Sequence, residues 1–180
     1  MSTFELINAS CAEQETDAVV NAANRYLAPG AGICGAIFAK AGYAELEDEC
    51  AKHRTPLRDG DAVMTSSCRM TNCKAIIHAV GPNFSVTPEA FDKLFDAYYN
   101  SLTVLMDNGY HGIAFPLISS GIFGGALANP VAESTRQCVR AHLKFCADFP
   151  DYDVAVTLCA FKNPELAAAR GECVSLGILS

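Results

Sequence analysis

Four short runs in this 180-residue chain are apolar almost throughout: "DAVVNAA" (17–23), "KAIIHAV" (74–80), "GIAFPLI" (112–118) and "DVAVTLCAF" (153–161). A strand with one wet face alternates polar and apolar residues, whereas short unalternating runs rich in Val and Ile are strands covered on both faces. "FELIN" (4–8) and "DAVMTSS" (61–67) read as two further strands. Between the strands the period becomes helical. Residues 33–41 and 43–54 read as helices. Phe91, Leu94, Phe95, Tyr98, Leu102 and Leu105 lie on one face of a longer helix, whose start is predicted at Thr87-Pro88. Asn129-Pro130 and Asn163-Pro164 mark two more starts, the first followed by Val131, Thr135, Cys138, His142 and Phe145 on one face.

Strands alternating with helices predict an α/β fold, a sheet with a helical layer on each side. No helix separates "FELIN" from "DAVVNAA", which predicts a mixed sheet. The length fits one domain, 1–180. Hydrophobic residues at 51% and charged residues at 18% are a globular composition, and no apolar run approaches the roughly 20 residues that span a bilayer. "MSTFELINAS" lacks a basic n-region and an apolar h-region, so no signal peptide is expected.

Nine cysteines lie singly among apolar residues, where the thiol behaves as a small hydrophobe; that usage fits a reducing compartment, the cytoplasm. Cys50, His53, Cys68 and Cys73 imitate zinc-ligand spacing loosely, but the gaps are irregular and no C-x-x-C occurs, so no metal is expected. A net charge of −7 without a Lys/Arg cluster excludes nucleic acid as the main partner. No membrane partner is expected either, and a monomer is the default.

In open α/β sheets ligands sit beyond the carboxyl ends of the strands. Three chemical-looking segments fall there: Asn21 to Asn24, Gly30 to Gly35, and Ser119 to Gly125. Glycine-rich turns let main-chain N–H groups approach a phosphate without help from lysine. Gly30, Gly32 and Gly35 fit G-x-G-x-x-G, yet "NAANRYLAP" before them is longer than a dinucleotide-fold turn, and no Gly-Lys-Ser/Thr of a P-loop exists. Asn24 reads either as a turn residue or as an amide bonding a ribose diol, and Phe123 either as a loop anchor or as a stacking surface. His78, inside an apolar strand, reads as a satisfied core histidine, and Asp61 as a turn or capping residue.

"DAVVNAAN", "PGAGICGAIFAKAG", "IIHAVGPNF" and "AFPLISSGIFGG", in this order, strongly resemble the macrodomain family, especially its MacroD-like branch and the alphavirus macrodomains. The resemblance runs from Phe4 to about Leu166. It implies a three-layer α/β/α sandwich around a mixed sheet, ADP-ribose as ligand, and release of mono-ADP-ribosyl groups from acidic side chains of ADP-ribosylated proteins. A non-catalytic reader of ADP-ribose and an O-acetyl-ADP-ribose deacetylase are the alternatives. No cofactor is implied.

Carried over by position, Asn24, Gly32 and Cys34 form the catalytic set around the distal ribose. Ser10, Cys11, Ala22, Ile33, Ser119, Ser120, Gly121, Ile122, Phe123, Gly124 and Phe161 complete the ligand set, with Phe161 near the adenine. Two positions depart from the family pattern. Ser10-Cys11 stands where many relatives have Asp-Ile, the Asp accepting from the adenine amino group. Cys34 stands where MacroD-like hydrolases carry Asp. A thiol beside a bound diphosphate stays protonated, so Cys34 reads as a spacer against the ribose rather than as a base.

Overall fold

In a computed structural model that describes residues 1–180, the six strands form one sheet. They are β1 (Thr3–Ile7), β2 (Ala18–Ala23), β3 (Ala62–Ser66), β4 (Ala75–Val80), β5 (Gly112–Phe115) and β6 (Ala155–Cys159). Five helices flank them: α1 (Gly32–Ala41), α2 (Tyr43–Cys50), α3 (Phe91–Asp107), α4 (Pro130–Asp148) and α5 (Asn163–Ser175). No helix is long and apolar enough to cross a membrane.

The strand order is β1-β6-β5-β2-β4-β3. β1, β6, β5, β2 and β4 run parallel, and only β3 is antiparallel, paired to β4 at one edge. The sheet is mixed, as expected, but for a different reason. β1 and β2 are parallel and not neighbours: the chain crosses from the edge to the middle through a single 3-10 turn at Cys11–Glu13. The reversal falls between β3 and β4, whose connection holds no helix to carry a parallel crossover.

Covering on both faces follows from the side-chain period of two. Ala18 and Val20 of β2 face a core of 25 buried residues under α3, α4 and α5, and Ala22 packs against it. Val19 and Ala23 face a second core of 17 under α1 and α2.

Helix ends track local hydrogen bonding. α4 starts where Asn129-Pro130 predicts, with Asn129 Oδ1 accepting the Ala132 N–H at 3.1 Å. α3 starts at Phe91, three residues beyond Pro88. Asn83 pre-empts the earlier start: its Oδ1 takes the Ser85 N–H (3.0 Å), and its carbonyl takes the N–H groups of Val86 (3.0 Å) and Thr87 (2.9 Å). α2 stops at Cys50, short of Arg54, as i→i−3 bonds from Lys52 and His53 tighten the chain out of the helix.

One polar knot inside the larger core positions the chain after β5. The Tyr98 hydroxyl accepts the Ile118 N–H at 2.9 Å and lies 2.7 Å from Ser134 Oγ, which donates to the Ile118 carbonyl at 2.6 Å. Tyr98 and Ser134 are fully buried. Helices α3 and α4 thereby hold both backbone groups of Ile118, one residue before the second glycine-rich turn. Tyr98→Phe keeps the ring and orphans a buried N–H, a loss of about 1–3 kcal/mol. Urea denaturation is expected to read that loss, and a variant as stable as the wild type would remove the knot from the account.

Candidate functional site

Parallel strands deliver their carboxyl ends to one edge. β2 and β5 are neighbours, in register at Ala18–Ile113 and Val19–Ala114, so the segments that follow them leave the sheet side by side. The first segment carries Asn24 to Gly32, the second Ser119 to Gly125.

Asn24 ties up its own loop. Its Oδ1 accepts the N–H groups of Tyr26 (3.1 Å) and Ala28 (3.0 Å), and its Nδ2 donates to the Ala28 carbonyl at 2.8 Å. The left-handed conformation in this loop falls on Leu27 (φ 55°), not on Asn24. The second Nδ2 hydrogen of the half-buried amide has no partner in the protein, so Asn24 can present one donor to a ligand.

The glycines that follow are required for separate reasons. Gly32 opens α1 with φ +61°. A Cβ on Gly35 would stand 2.7 Å from the Gly30 carbonyl oxygen, so the helix could not sit so close to its own approach. The N–H groups of Gly32, Ile33 and Cys34 find no acceptor in the protein; the first helical bond runs from Gly35 to Ala31. In the second segment the N–H groups of Ser119, Ser120, Gly121, Ile122 and Phe123 are also unpaired, and the first bond comes from Gly124 to Gly121. A Cβ on Gly32 or on Gly121 would meet nothing within 4 Å, so the space beside both glycines is open.

The second turn is braced from behind. Ser119, at φ 58°, donates through Oγ to the Pro82 carbonyl at 2.7 Å, and the Phe84 N–H donates to the Phe123 carbonyl at 2.8 Å. Gly81 passes so close to Ser119 that no side chain fits there. Gly124 is buried, Phe123 half-buried, and Ile122 projects outward at 86% exposure. Phe161, just beyond β6, is 68% exposed, and Asn8 Nδ2 donates to its carbonyl (3.2 Å) and to that of Ala160 (2.9 Å). The Ser10 hydroxyl has no partner in the protein, while its carbonyl takes the Gln14 side chain at 2.9 Å.

The two thiols among the candidates point inward. Cys34 is buried, Sγ lies 3.7 Å from the Ala28 carbonyl, and burial pushes its pKa up. Cys11 is sealed against the sheet, Sγ 3.1 Å from the Ala114 carbonyl, and burial raises its pKa as well. Any contact of Cys11 with a ligand would have to come from its backbone. Ala22 is half-buried on the α3 side of β2. Cys50, His53, Cys68 and Cys73 do not converge, and no three His, Cys, Asp or Glu side chains gather as a metal cluster would require.

Three polar residues escaped sequence reasoning as a set. His78 Nδ1 lies 3.1 Å from Asn21 Nδ2, and His78 Nε2 lies 3.0 Å from Thr65 Oγ1. Since Asn21 Nδ2 can only donate, Nδ1 is the acceptor and Nε2 carries the hydrogen. His78 is the satisfied core histidine that its apolar strand suggests. The "VVNAAN" motif signalled Asn21, but its pairing across strands had no signal along the chain.

A family model described as Macro domain matches residues 20–135. The O-acetyl-ADP-ribose deacetylase of Citrobacter rodentium is 40% identical over 127 residues, 68% of this chain and 71% of that protein. The polyprotein P1234 of Venezuelan equine encephalitis virus is 35% identical over 178 residues, covering 96% of this chain and 6% of the polyprotein. Among solved structures, the Trypanosoma brucei macrodomain in complex with ADP-ribose superposes with a TM-score of 0.80 at 26% identity, over 95% of this chain and 68% of that one.

Burial holds the His78 pKa down at about 3, against an ordinary value of 6.5. The unfolded chain therefore takes up a proton that the folded chain refuses. This histidine costs almost nothing well above pH 6.5 and destabilises progressively as pH falls through 6.5 toward 3, with a limiting slope of about 1.4 kcal/mol per pH unit. Denaturation series at pH 7.5, 6 and 5 are expected to show the decline in the wild type and a shallower one in His78→Gln; parallel declines would contradict it.

Proposed function

Because the chain belongs to the Macro domain family, we propose that it binds ADP-ribose at these two turns and hydrolyses mono-ADP-ribosyl groups from acidic side chains of proteins. One observation carries the reading: two rows of main-chain N–H groups without an acceptor in the protein, three at the start of α1 and five in the second turn, lie on segments that leave neighbouring parallel strands. A diphosphate supplies acceptors for both rows, and the α1 N-terminus adds a partial positive charge. No lysine or arginine is needed, in keeping with a net charge of −7. Phe161 offers an exposed ring for the adenine, Ser10 a free hydroxyl for its edge, and Phe123 a flank for the distal ribose.

Chemistry at the ribose requires positioning rather than a strong base. The free Nδ2 hydrogen of Asn24 fixes a ribose hydroxyl. A water held between the phosphate and the backbone adds to the ribose carbon, the acceptor carboxylate leaves with the bonding pair, and the water's proton passes to the phosphate. Cys34, buried with its sulfur turned inward and its pKa raised, takes no proton. The relative's name favours a second reading, removal of the acetyl group from O-acetyl-ADP-ribose in the same pocket. The nine unpaired thiols support a cytoplasmic setting.

The decisive experiment incubates the protein with a substrate modified on Glu or Asp and follows release of label, with O-acetyl-ADP-ribose as a parallel substrate. Release above an Asn24→Ala control supports the hydrolase. Binding of ADP-ribose without release of either ester would leave a reader, and no binding at high micromolar ligand would defeat both. Asn24→Ala is expected to weaken ADP-ribose binding about tenfold or more, because the loop loses its clamp. Cys34→Ser is expected to keep turnover within about threefold, as replacing a buried neutral group that takes no part in the proton transfer should. Ser10→Asp is expected to tighten ADP-ribose about five- to tenfold by restoring a charge-assisted bond to the adenine amino group. Calorimetry reads each effect, and an unchanged Ser10→Asp would place the adenine elsewhere.

A further inference from the structure

Against the Asn24 loop lies a cavity of about 320 Å³ between residues 26–29 and the end of α2. At the small end of ligand-site volumes, it suits one side chain rather than a nucleotide. Tyr26, Leu27 and Pro29 form its apolar wall, with Tyr26 exposed to 68%. Glu47 and His53 line it as well. His53 Nε2 donates to the Met64 carbonyl at 3.0 Å, so the ring's Nδ1 is the nitrogen left without a protein partner. Glu45 pairs with Arg69 and Glu49 with Lys52, but Glu47 has no cation partner. The neighbouring Arg25 is committed to Asp59 at 3.1 Å, and Arg54 makes no ion pair with Glu47. The carboxyl end of α2 adds negative potential. An apolar stem ending in a cation fits this lining.

Ala28 belongs to both sites: it lines the cavity, and its N–H and carbonyl clamp the Asn24 amide. A polypeptide whose modified side chain reaches Asn24 therefore meets the same loop that walls the cavity. We propose that the cavity receives an arginine or lysine side chain of the polypeptide that bears the ADP-ribosyl group, so that the protein selects modified acidic residues with a basic neighbour. This rests on the function proposed above.

Two measurements test it. N-acetyl-arginine amide is titrated into the apo protein while the NMR signals of Tyr26 and His53 are followed; saturable shifts in the millimolar range are expected, weakened about fivefold in Glu47→Gln, the effect of one partly exposed ion pair. No shift in the wild type overturns the inference. Glutamyl-ADP-ribosyl peptides with Arg or Ala at each flanking position are then compared. One Arg position is expected to lower KM about fivefold with kcat unchanged, and Glu47→Gln to erase that gain without altering the affinity for free ADP-ribose. Should ADP-ribose bind and no Arg position matter, this inference alone falls. Should ADP-ribose itself fail to bind, the proposed function falls and this occupant with it.

Discussion

A main-chain N–H that leaves a helix or strand must find an acceptor, and at one edge of this sheet two successive sets of them find none within the protein. Everything at the site follows from that. The unpaired groups sit at the start of α1 and between Ser119 and Phe123, on segments leaving adjacent parallel strands. Parallel pairing brings them together, because only parallel neighbours send both carboxyl ends to the same edge. Most of the surrounding polar atoms hold the two turns, leaving one Asn24 Nδ2 hydrogen and the Ser10 hydroxyl without a partner in the protein. Asn24 locks the first against Ala28; Ser119, Phe84 and the Tyr98–Ser134 pair lock the second.

This division of labour explains how an acidic protein can be built to hold an anion. A lysine would bring its charge on a flexible stem and lose entropy on binding. Amides fixed in a turn have that cost met when the chain folds, and their partial charges do not alter the net charge. The remaining electrostatics can then be negative, as around Glu47, without competing at the turns.

The cysteines fit the same economy of charge. Seven of the nine are buried, and burial raises the pKa of Cys11, Cys34, Cys50, Cys73, Cys138 and Cys173. A raised pKa keeps a thiol neutral, and a neutral thiol packs as a hydrophobe. Cys34 lies in the turn that matters most and still turns its sulfur toward the core.

Much was legible along the chain because it is local. Unalternating apolar runs marked the strands, helical spacing marked α3 and α4, Asn129-Pro130 marked a true helix start, and the glycine patterns marked both turns. Thr87-Pro88 misled because Asn83 claims the polar groups upstream, a competition that propensity at one position does not register. The order of strands, the reversal at β3 rather than between β1 and β2, the Asn21–His78–Thr65 contact, the hold of Tyr98 and Ser134 on Ile118, and the cavity beside Ala28 were decided only in three dimensions. Each joins residues far apart in sequence, and periodicity and turn chemistry describe neighbours within a few residues. Along the chain it was determined which backbone groups would lie unpaired; the tertiary structure decided which of the segments carrying them would leave adjacent strands, because strand pairing sets distance and direction between segments that no local rule connects.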